Sequence, residues 1–459
     1  MRKLSLRVAD AYALIALAFG VFFIALTPPF GAGDETAHFE RSYEIAAGAA
    51  LGAEGLPSGM QVLIDDAFGK VKSGEAVRRE DFARWSATPL GAEAIVPYPE
   101  PLRAVLRLHS PVCYAHLAPV AAAGLALKLP PLMTFYLGRL AALLAGVFLV
   151  RAAIGAAPEM FRAPLAFLGL LPTTLVYFSA LNIESLLVGL GFLFFALVAR
   201  AAAAPEQRLT GRAVALLAVT GFFLGQFKSG YLLAPAIALV IPASAFGSRA
   251  RRLGAMALII LPGVIASLAW AMVVKSAMLD GMVYSTFDAN RVAPAEQLAG
   301  VIADPLGYAG VVARTLFASD APGAAMQMFF GVAGWTNIPL AAPFYALLSG
   351  AFLLVLFSGA APPAAMRSLY GRMILGGVFL ATCLAILTLV YFQWNGVGAG
   401  VIKGFQGRYL IAVAPMLFAL APLRMSMLAD PRRRAALAFG APAVGGAAML
   451  AAVFAAYYG

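Results

Sequence analysis

Apolar runs long enough to cross a lipid bilayer recur along the whole chain, and no other feature limits the possible folds so strongly. A helix needs about 17–25 predominantly apolar residues to span roughly 30 Å of hydrocarbon. The 459-residue chain is 62% hydrophobic and 12% charged, whereas soluble domains have about 45–50% apolar and about 25% charged residues. So few charges cannot cover the surface of a soluble protein of this length. The sequence therefore predicts a polytopic membrane protein.

Hydropathy predicts eleven membrane-spanning segments. Backbone polar groups inside lipid must be satisfied internally, so each segment should be a helix and the predicted fold class is an all-α membrane protein. The first span is expected to be retained rather than cleaved as a signal peptide, because its apolar part is long and leads into Thr-Pro-Pro. The predicted spans cover residues 9–27, 132–150, 164–180, 184–200, 213–227, 229–245, 253–275, 340–358, 373–391, 408–423 and 435–457.

One further apolar stretch, residues 111–127, decides the orientation of every later segment. If it does not cross the membrane, the Arg-rich loops around Arg151, Arg251 and Arg433 all lie on the side of the N-terminus. If it crosses, the basic cluster that begins at Arg2 falls on the opposite side from those loops. Only the first alternative satisfies the positive-inside rule. We therefore expect a cytoplasmic N-terminus and an interfacial or re-entrant segment at 111–127.

The net charge of +11 does not indicate a nucleic-acid partner. Residues 28–109 hold 12 of the 22 acidic residues and 8 of the 33 basic ones, and the other basic residues are scattered through short loops. Such scattering is typical of the positive-inside bias, and it differs from a basic groove with interleaved aromatic residues. Membrane lipid is the expected partner, and no nucleic acid is expected.

The charge and hydropathy patterns divide the chain into five segments. We expect a first transmembrane helix, an extracytoplasmic loop with interfacial helices, a transmembrane bundle, a second extracytoplasmic loop with short helices, and a C-terminal group of transmembrane helices. In that order they cover residues 1–27, 28–131, 132–275, 276–339 and 340–459.

The strongest local signal is PPFGAGDETAHF, which starts at Pro28 and contains two prolines and two glycines that end the first helix. Asp34 and Glu35 then lie at the outer membrane surface. Asp34 could cap the following helix, or it could be a carboxylate fixed at the mouth of a cavity as a general base or metal ligand. His38 shares a helical face with Asp34, and both a metal cluster and a solvated first turn remain open for it.

Glu184 is the only acidic residue in the stretch 160–205, and it follows Asn182 in a tight turn between two predicted spans. An ionisable side chain costs ~2.5–3.5 kcal/mol at the centre of a span, and such residues are functional candidates by default. The alternative is a solvated turn acid that caps the next helix. The predicted topology places Glu184 on the same outer side as Asp34.

Two outer turns contain cations. Lys228, in the turn that ends at Tyr231, could neutralise a phosphate oxygen or extend to the interface from an apolar helix. Arg408, beside a glycine, would present a guanidinium fork to phosphate or carboxylate. Its alternative is an interfacial anchor, with Tyr409 in the aromatic belt. His109 precedes the segment 111–127 and could either bind a ligand or pack against it.

These motifs together carry a resemblance. With the Pro-Pro-Phe block they are His109-Ser110-Pro111, Gly138-Arg139-Leu140, Leu171-Pro172, Asn182-Ile183-Glu184, Lys228-Ser229-Gly230-Tyr231 and Gly407-Arg408-Tyr409-Leu410. Over about residues 10–425 the chain resembles a bacterial family of multi-span membrane proteins of unknown function. That family is similar in turn to the C-type (GT-C) glycosyltransferase superfamily, whose members use lipid-linked sugar donors at the extracytoplasmic face.

The resemblance implies an inverting glycosyltransferase of the bacterial inner membrane that uses a polyprenyl-phosphate-linked sugar. The acidic residue of the first outer loop would be the catalytic base, or would help to place a metal, and this role falls to Asp34. A second catalytic acid corresponds to Glu184, although the superfamily usually has Asp there. The pair is compatible with a divalent cation such as Mg²⁺ or Mn²⁺. The expected substrate-binding residues are Glu35, His38, His109, Lys228, Tyr231, Arg408 and Tyr409.

A second function remains open from the residues alone. A transporter or lipid-binding protein of the cell envelope could use the same acids and cations to bind an anionic lipid or to couple protons. A transporter should place ionisable groups near mid-membrane on several helices. Here most of them lie near one face, with Arg139 as the exception, and the enzyme is therefore the favoured interpretation.

Overall fold

Helices dominate the computed structural model, which describes residues 2–97, 107–227, 229–275, 291–421 and 430–459. The all-α fold class is confirmed. The twenty α-helices of the described ranges are α1 (Arg2–Leu26), α2 (Glu35–Ala46), α3 (Ser58–Leu63), α4 (Gly69–Ser73), α5 (Arg79–Ala87), α6 (Ala118–Ala126), α7 (Pro131–Ala156), α8 (Glu159–Gly169), α9 (Pro172–Phe178), α10 (Glu184–Ala203), α11 (Gly211–Gln226), α12 (Arg249–Val273), α13 (Pro294–Ala303), α14 (Pro305–Phe317), α15 (Ala321–Phe330), α16 (Ala342–Leu356), α17 (Ala364–Arg367), α18 (Leu369–Trp394), α19 (Pro415–Leu420) and α20 (Pro431–Tyr458).

Short non-α elements complete the description. Two antiparallel strand pairs lie in the segments that the sequence assigns to the outside, β1 with β2 and β3 with β4. Their bounds are Gly55–Pro57, Ile95–Pro97, Val332–Ala333 and Ile338–Pro339. Five 3-10 helices cover Pro111–Tyr114, Ser229–Tyr231, Ala234–Val240, Ala243–Phe246 and Gly407–Leu410, and a π-helical turn covers Ile64–Phe68.

Six helices of the described ranges are long and apolar enough to cross a membrane, namely α1, α7, α10, α12, α18 and α20. A seventh span is formed if α8 and α9 are counted together, although these two helices meet at a bend of 69°. Each of the six helices, and the pair of α8 and α9, coincides with a segment that hydropathy predicts to span the membrane. The multi-pass membrane character of the chain follows from these helices.

The other four predicted spans are shorter or broken. The helices α11 and α16 and the segment Ser229–Val240 are apolar but shorter than 18 residues. Pro235 and Pro242 lie in the 3-10 region between residues 229 and 245, and Pro415 begins α19. Proline lacks the backbone N–H and its ring clashes with the preceding turn, so these positions interrupt the α-helical hydrogen bonds. The eleven predicted segments therefore exist as apolar elements, but five of them, including the bent pair of α8 and α9, are not single long helices.

The ambiguous stretch 111–127 is also broken. It consists of the 3-10 helix Pro111–Tyr114 followed by the nine-residue α6. A nine-residue helix is about 13.5 Å long at 1.5 Å per residue, which is less than half of the roughly 30 Å of a bilayer core. Neither piece is long enough to cross by itself.

Helix α10 lies at the centre of the bundle and packs on α7, and α7 packs in turn on α1. Arg151, near the end of α7, forms an ion pair with Asp10, near the start of α1, with 2.6 Å between Nη2 and Oδ1. The two helices are therefore antiparallel. Glycines allow a close approach elsewhere, since a Cβ on Gly225 of α11 would lie 3.0 Å from the Cα of Gly263 in α12. Small residues at such crossings are typical of membrane helix packing.

Candidate functional site

A cavity of ≈ 190 Å³ lies among the C-terminal ends of the membrane helices α12 and α18, the start of α2 and the start of α10. One water needs roughly 10–15 Å³ on this measure, so the cavity has room for a ligand. Its walls are largely apolar, with Trp270 from α12 and Ile386 and Trp394 from α18. The polar lining residues are Asp34, His38, His109, Ser110, Tyr114, Glu184, Gln226, Ser229, Ser267, Gln393 and Tyr409.

Asp34 borders this cavity in a left-handed backbone conformation, with φ 66°. The chain reaches it through Gly33, whose N–H donates to the carbonyl oxygen of Gly334 at 3.1 Å. Asp34 occupies the N-cap position of α2, but its side chain makes no capping hydrogen bond. The carboxylate is half exposed (50%) and accepts a hydrogen bond from Arg408 at 2.9 Å. The capping role considered for its side chain is therefore wrong, and the carboxylate faces the cavity instead.

The side chain of Arg408 contacts the carboxylate of Asp34 and is enclosed by protein. Its side chain is only 4% exposed, and its guanidinium lies over the rings of Tyr177 and Tyr409 at 4.2 and 5.3 Å. Stacking of this kind is worth about 2 kcal/mol or more when the cation is desolvated. An interfacial anchor would extend outward from the protein, so this enclosure favours the ion-pair role of Arg408, although Arg408 itself does not line the cavity. In the described structure its anionic partner is Asp34.

Glu184 is the first residue of α10 and reaches the same cavity with 6% of the residue exposed. The turn that holds it is fixed by Asn182, whose Oδ1 accepts the N–H of Glu184 at 2.9 Å and whose Nδ2 donates to the carbonyl oxygen of Tyr177 at 2.9 Å. Nε2 of His116 lies 3.0 Å from the carbonyl oxygen of Asn182. A solvated turn acid would be exposed, so the structure favours the cavity-facing interpretation of Glu184.

His116 is not among the predicted site residues. Burial lowers the pKa of His116 to about 4. The imidazole is therefore neutral at pH 7, and its Nε2–H donates to the Asn182 carbonyl. Its contribution to the site is to hold the turn before Glu184 rather than to contact a ligand, because it does not line the cavity.

Glu35 does not line the cavity, in contrast to the expectation that it contacts substrate. It is fully buried and forms a two-point ion pair with Arg139 of α7, with 2.8 Å from Nε to Oε1 and 2.7 Å from Nη2 to Oε2. Arg139 also donates to the carbonyl oxygens of Thr27 at 2.5 Å and Pro28 at 2.8 Å. This pair supplies the partner that the hydropathy pattern could not identify for Arg139.

The same carboxylate joins the two acid-bearing segments. Oε1 of Glu35 accepts the backbone N–H of Leu181 at 2.9 Å, and Oε2 accepts that of Ala32 at 3.2 Å. Glu35 follows Asp34 directly, and Leu181 lies three residues before Glu184. One buried side chain therefore bonds both the loop of Asp34 and the turn of Glu184.

Two histidines lie side by side at the cavity. The rings of His38 and His109 are stacked at 5.9 Å with 29° between their planes, and Nδ1 of His38 lies 2.8 Å from the hydroxyl of Tyr114. All three residues line the cavity. The predicted pair of histidines is thus brought to the same place as Asp34 and Glu184.

The remaining predicted residues differ in position. Tyr409 lines the cavity, whereas Tyr231 is fully buried behind it and donates its hydroxyl hydrogen to the Tyr409 carbonyl oxygen at 2.6 Å. Lys228 lies outside the described residues, so its predicted role stays a prediction. Within the described ranges no group of three or more His, Cys, Asp or Glu side chains is placed to hold a metal ion. The pair of Asp34 and Glu184 would thus lack a third protein ligand of these types.

Sequence reasoning missed several lining residues, among them Gln226 and Trp270. Gln226 accepts from Ser110 at 3.4 Å and donates to the carbonyl oxygen of Gly263 at 3.2 Å. Its signal in the sequence was available, because a glutamine at the end of an apolar run needs a polar partner. Trp270 gave no such signal, since a tryptophan near a helix end is normally an interfacial residue.

The comparisons with known proteins give one match. A family model described as "Predicted membrane protein (DUF2142)" matches residues 17–417. No curated protein matches the chain, and no solved structure matches it.

Proposed function

The chain belongs to the DUF2142 family of predicted membrane proteins, and from its site we propose that it is a membrane glycosyltransferase. The reaction would transfer a sugar from a polyprenyl-phosphate donor to an acceptor on the outer side of the inner membrane, with inversion at the anomeric carbon. The proposal includes a GT-C-like arrangement with about eleven crossings and a cytoplasmic N-terminus. Its support comes from the site geometry and from the motifs of the sequence.

One observation carries the proposal: Asp34 and Glu184, 150 residues apart in the chain, line one cavity beside two helices of membrane-crossing length. A half-exposed carboxylate next to a buried guanidinium suits a reaction between a hydroxyl and an anionic leaving group. The apolar walls formed by α12 and α18 suit the lipid portion of the donor, and the polar lining suits the sugar.

In the proposed mechanism Asp34 is the general base. Its free carboxylate oxygen takes the proton of the acceptor hydroxyl while the hydroxyl oxygen bonds to the anomeric carbon. The bond from that carbon to the phosphate oxygen breaks, and polyprenyl phosphate leaves with the negative charge. Attack from the face opposite to the phosphate inverts the configuration. Glu184 would orient the sugar or the acceptor through its hydroxyl groups.

Cations stabilise the departing phosphate in this scheme. Arg408 already contacts Asp34, and the planar fork of a guanidinium can serve a carboxylate and a phosphate at the same time. Lys228 would add a second positive charge. A divalent ion such as Mg²⁺ or Mn²⁺ could supply further charge stabilisation at Asp34 and Glu184, but no step of the mechanism needs it.

The decisive experiment uses the purified full-length protein with a series of polyprenyl-phosphate sugars. We expect wild type to release sugar from at least one donor, and Asp34→Asn to lower the rate by about 10²–10⁴-fold, the usual contribution of a general base. Glu80→Gln, on the exposed face of α5, is the matched control and should keep the wild-type rate. Equal release by wild type and Asp34→Asn would contradict the proposal. Binding of donors without release by any variant would favour a lipid-binding protein or transporter.

A further inference from the structure

The helix α14 is apolar on both of its faces. One face, with Tyr308, Val311 and Thr315 at helical spacing, packs on α18 and on the segment around Ile402, and Val311 and Thr315 are buried. The opposite face is open, and its Leu306 and Phe317 are 83% and 86% exposed. A helix that is hydrophobic all round belongs inside a protein or in a membrane. Water is therefore an unsuitable neighbour for this second face.

The composition of α14 supports the same view. Its thirteen residues, PLGYAGVVARTLF, contain Arg314 as the one charged residue. The preceding helix α13 adds Ile302, also strongly exposed, close to Leu306 in the chain. Together these residues form an apolar surface, here called the outer apolar face and defined by Ile302, Leu306, Leu316 and Phe317.

The position of α14 on α18 identifies what covers this face. The hydroxyl of Tyr308 lies 2.6 Å from the hydroxyl of Thr388, and Thr388 follows Leu384 and Leu380 at four-residue spacing along one side of α18. Leu380 and Leu384 are 67% and 48% exposed. Because α18 is a membrane-crossing helix, this side of it faces acyl chains. The lipid-facing stripe of α18 thus runs directly into the contact with α14.

The other side of α18 supports this orientation. Ile386, Leu389 and Gln393 line the cavity, and on a helix of 3.6 residues per turn they lie roughly opposite to Leu384 and Thr388. The contact of Tyr308 with Thr388 therefore places α14 on the lipid side of α18. The apolar cluster around Val311 also includes Val390, which lines the cavity, so α14 adjoins the cavity wall as well.

From this continuity we propose that α13 and α14 form a membrane-embedded helix pair whose outer apolar face dips into the leaflet at the cavity end of the bundle. The occupant of the face is bilayer lipid, which Leu306 and Phe317 contact directly. Arg314, on the same helix, donates to the carbonyl oxygen of Gly400 at 3.0 Å. The proposal is independent of the sugar-transfer reaction and holds for any activity of the cavity.

The test is a measurement of membrane depth by spin labelling. The protein, with Cys113→Ser and Cys383→Ser as background, is reconstituted into nanodiscs of phosphatidylethanolamine and phosphatidylglycerol. Nitroxide labels are placed at Leu306→Cys and Phe317→Cys, with Leu384→Cys as the lipid-facing reference and Glu80→Cys as the water-facing control. Collision rates with oxygen, which concentrates in lipid, and with a water-soluble nickel chelate are then compared at each site.

We expect labels at 306 and 317 to collide with oxygen at least several-fold more effectively than with the nickel complex, as at 384, and the label at 80 to show the reverse. Ala313→Cys, on the same open face, replaces either variant if it fails to fold. Nickel accessibility at 306 and 317 equal to that at 80 would overturn the proposal. Protection from both reagents would also overturn it, because it would indicate a protein partner or a second copy on this face.

Discussion

Arg408 does not itself line the cavity, but its buried guanidinium contacts the cavity-lining carboxylate of Asp34 and lies over two tyrosine rings. We predict that Arg408→Gln lowers sugar transfer by about 10²–10³-fold, the usual effect of removing one transition-state donor. Arg408→Lys should be intermediate, because lysine keeps the charge but loses the planar fork and the stacking. Initial rates of sugar release for the two variants test this order.

Arg79→Gln serves as the control for Arg408, because it removes an equal charge from an exposed position on α5. Its rate should equal that of wild type. If Arg408→Gln also keeps the wild-type rate while Asp34→Asn does not, then Arg408 only supports the fold and has no part in the reaction.

Glu40 of α2 makes a separate prediction about pH. Burial, with smaller contributions from Glu44 and Asp65, raises the pKa of Glu40 from 4.5 to about 8. A carboxyl group whose pKa is raised by folding makes its full contribution to the free energy of unfolding at pH values below its pKa in the unfolded chain. This contribution is lost as pH rises through about 8. Each pKa unit corresponds to about 1.4 kcal/mol. The melting temperature should therefore fall between pH 6.5 and 9.

The comparison of melting temperatures starts at pH 6.5 so that the titration of His116 does not contribute to it. The pKa of His116 is lowered to about 4 by burial, so its contribution to the free energy of unfolding is complete above pH 6.5 and is lost only as pH falls toward 4. In Glu40→Gln the decline above pH 6.5 should largely disappear, whereas Glu80→Gln should retain it. A decline of equal size in wild type and Glu40→Gln would show that another group is responsible.

At the scale of elements, the pair of Glu35 and Arg139 joins four segments: the end of α1, the start of α2, the middle of α7 and the turn before α10. Removing one partner leaves a buried charge, which costs about 3–5 kcal/mol. We predict that Arg139→Leu is strongly destabilised. The double variant Glu35→Leu with Arg139→Leu should regain much of the free energy of unfolding, because an apolar pair of similar volume avoids the desolvation cost of two ions.

The rate of sugar release then distinguishes a role of the pair in positioning the Asp34 loop and the Glu184 turn from a role in stability alone. The double variant lacks the carboxylate that bonds both the Asp34 loop and the Leu181 backbone N–H, so its rate of sugar release should stay at least tenfold below that of wild type at a temperature where both are folded. Melting temperature and initial rate are measured on the same preparations. Recovery of both properties in the double variant would mean that the pair serves the fold alone.

The sequence predicts an element well when residues close together in the chain determine that element. The six long helices depend on apolar runs within 19–27 residues, and hydropathy places all six. The segments 229–245 and 408–421 are also apolar, but 3-10 turns and prolines at 235, 242 and 415 break them into short pieces, which a hydropathy window does not register. The partner of Arg139 lies 104 residues away in the chain, so only tertiary packing reveals it.

The candidate site shows the same limit. The sequence indicates Asp34, Glu184 and the two histidines because ionisable residues are rare between apolar runs. It could not show that Glu35 turns away from the cavity while its neighbour Asp34 faces it. That difference depends on the left-handed backbone at Asp34 and on the buried position of Arg139.

At the scale of the whole molecule, the orientation in the membrane decides whether the proposed donor can reach the cavity. The ion pair of Asp10 with Arg151 shows that α1 and α7 are antiparallel, so the N-terminal part of α1 lies at the end of the bundle opposite to Asp34. The positive-inside rule assigns the Arg-rich end to the cytoplasm, so the cavity should open on the outer side. We predict that Ser86→Cys, in the segment after α2, reacts with a membrane-impermeant maleimide in intact bacterial cells. Gln207→Cys, in the Arg-rich loop after α10, should react only after the cells are permeabilised.

Both positions are exposed to solvent, so access across the membrane and not burial determines the labelling. The background lacks the two natural cysteines, through Cys113→Ser and Cys383→Ser. Labelling of Gln207→Cys in intact cells, with Ser86→Cys protected, would place Asp34 and Glu184 on the cytosolic side. The site would then face soluble activated sugars, and a nucleotide-linked donor would replace the polyprenyl-phosphate donor as the molecule to test.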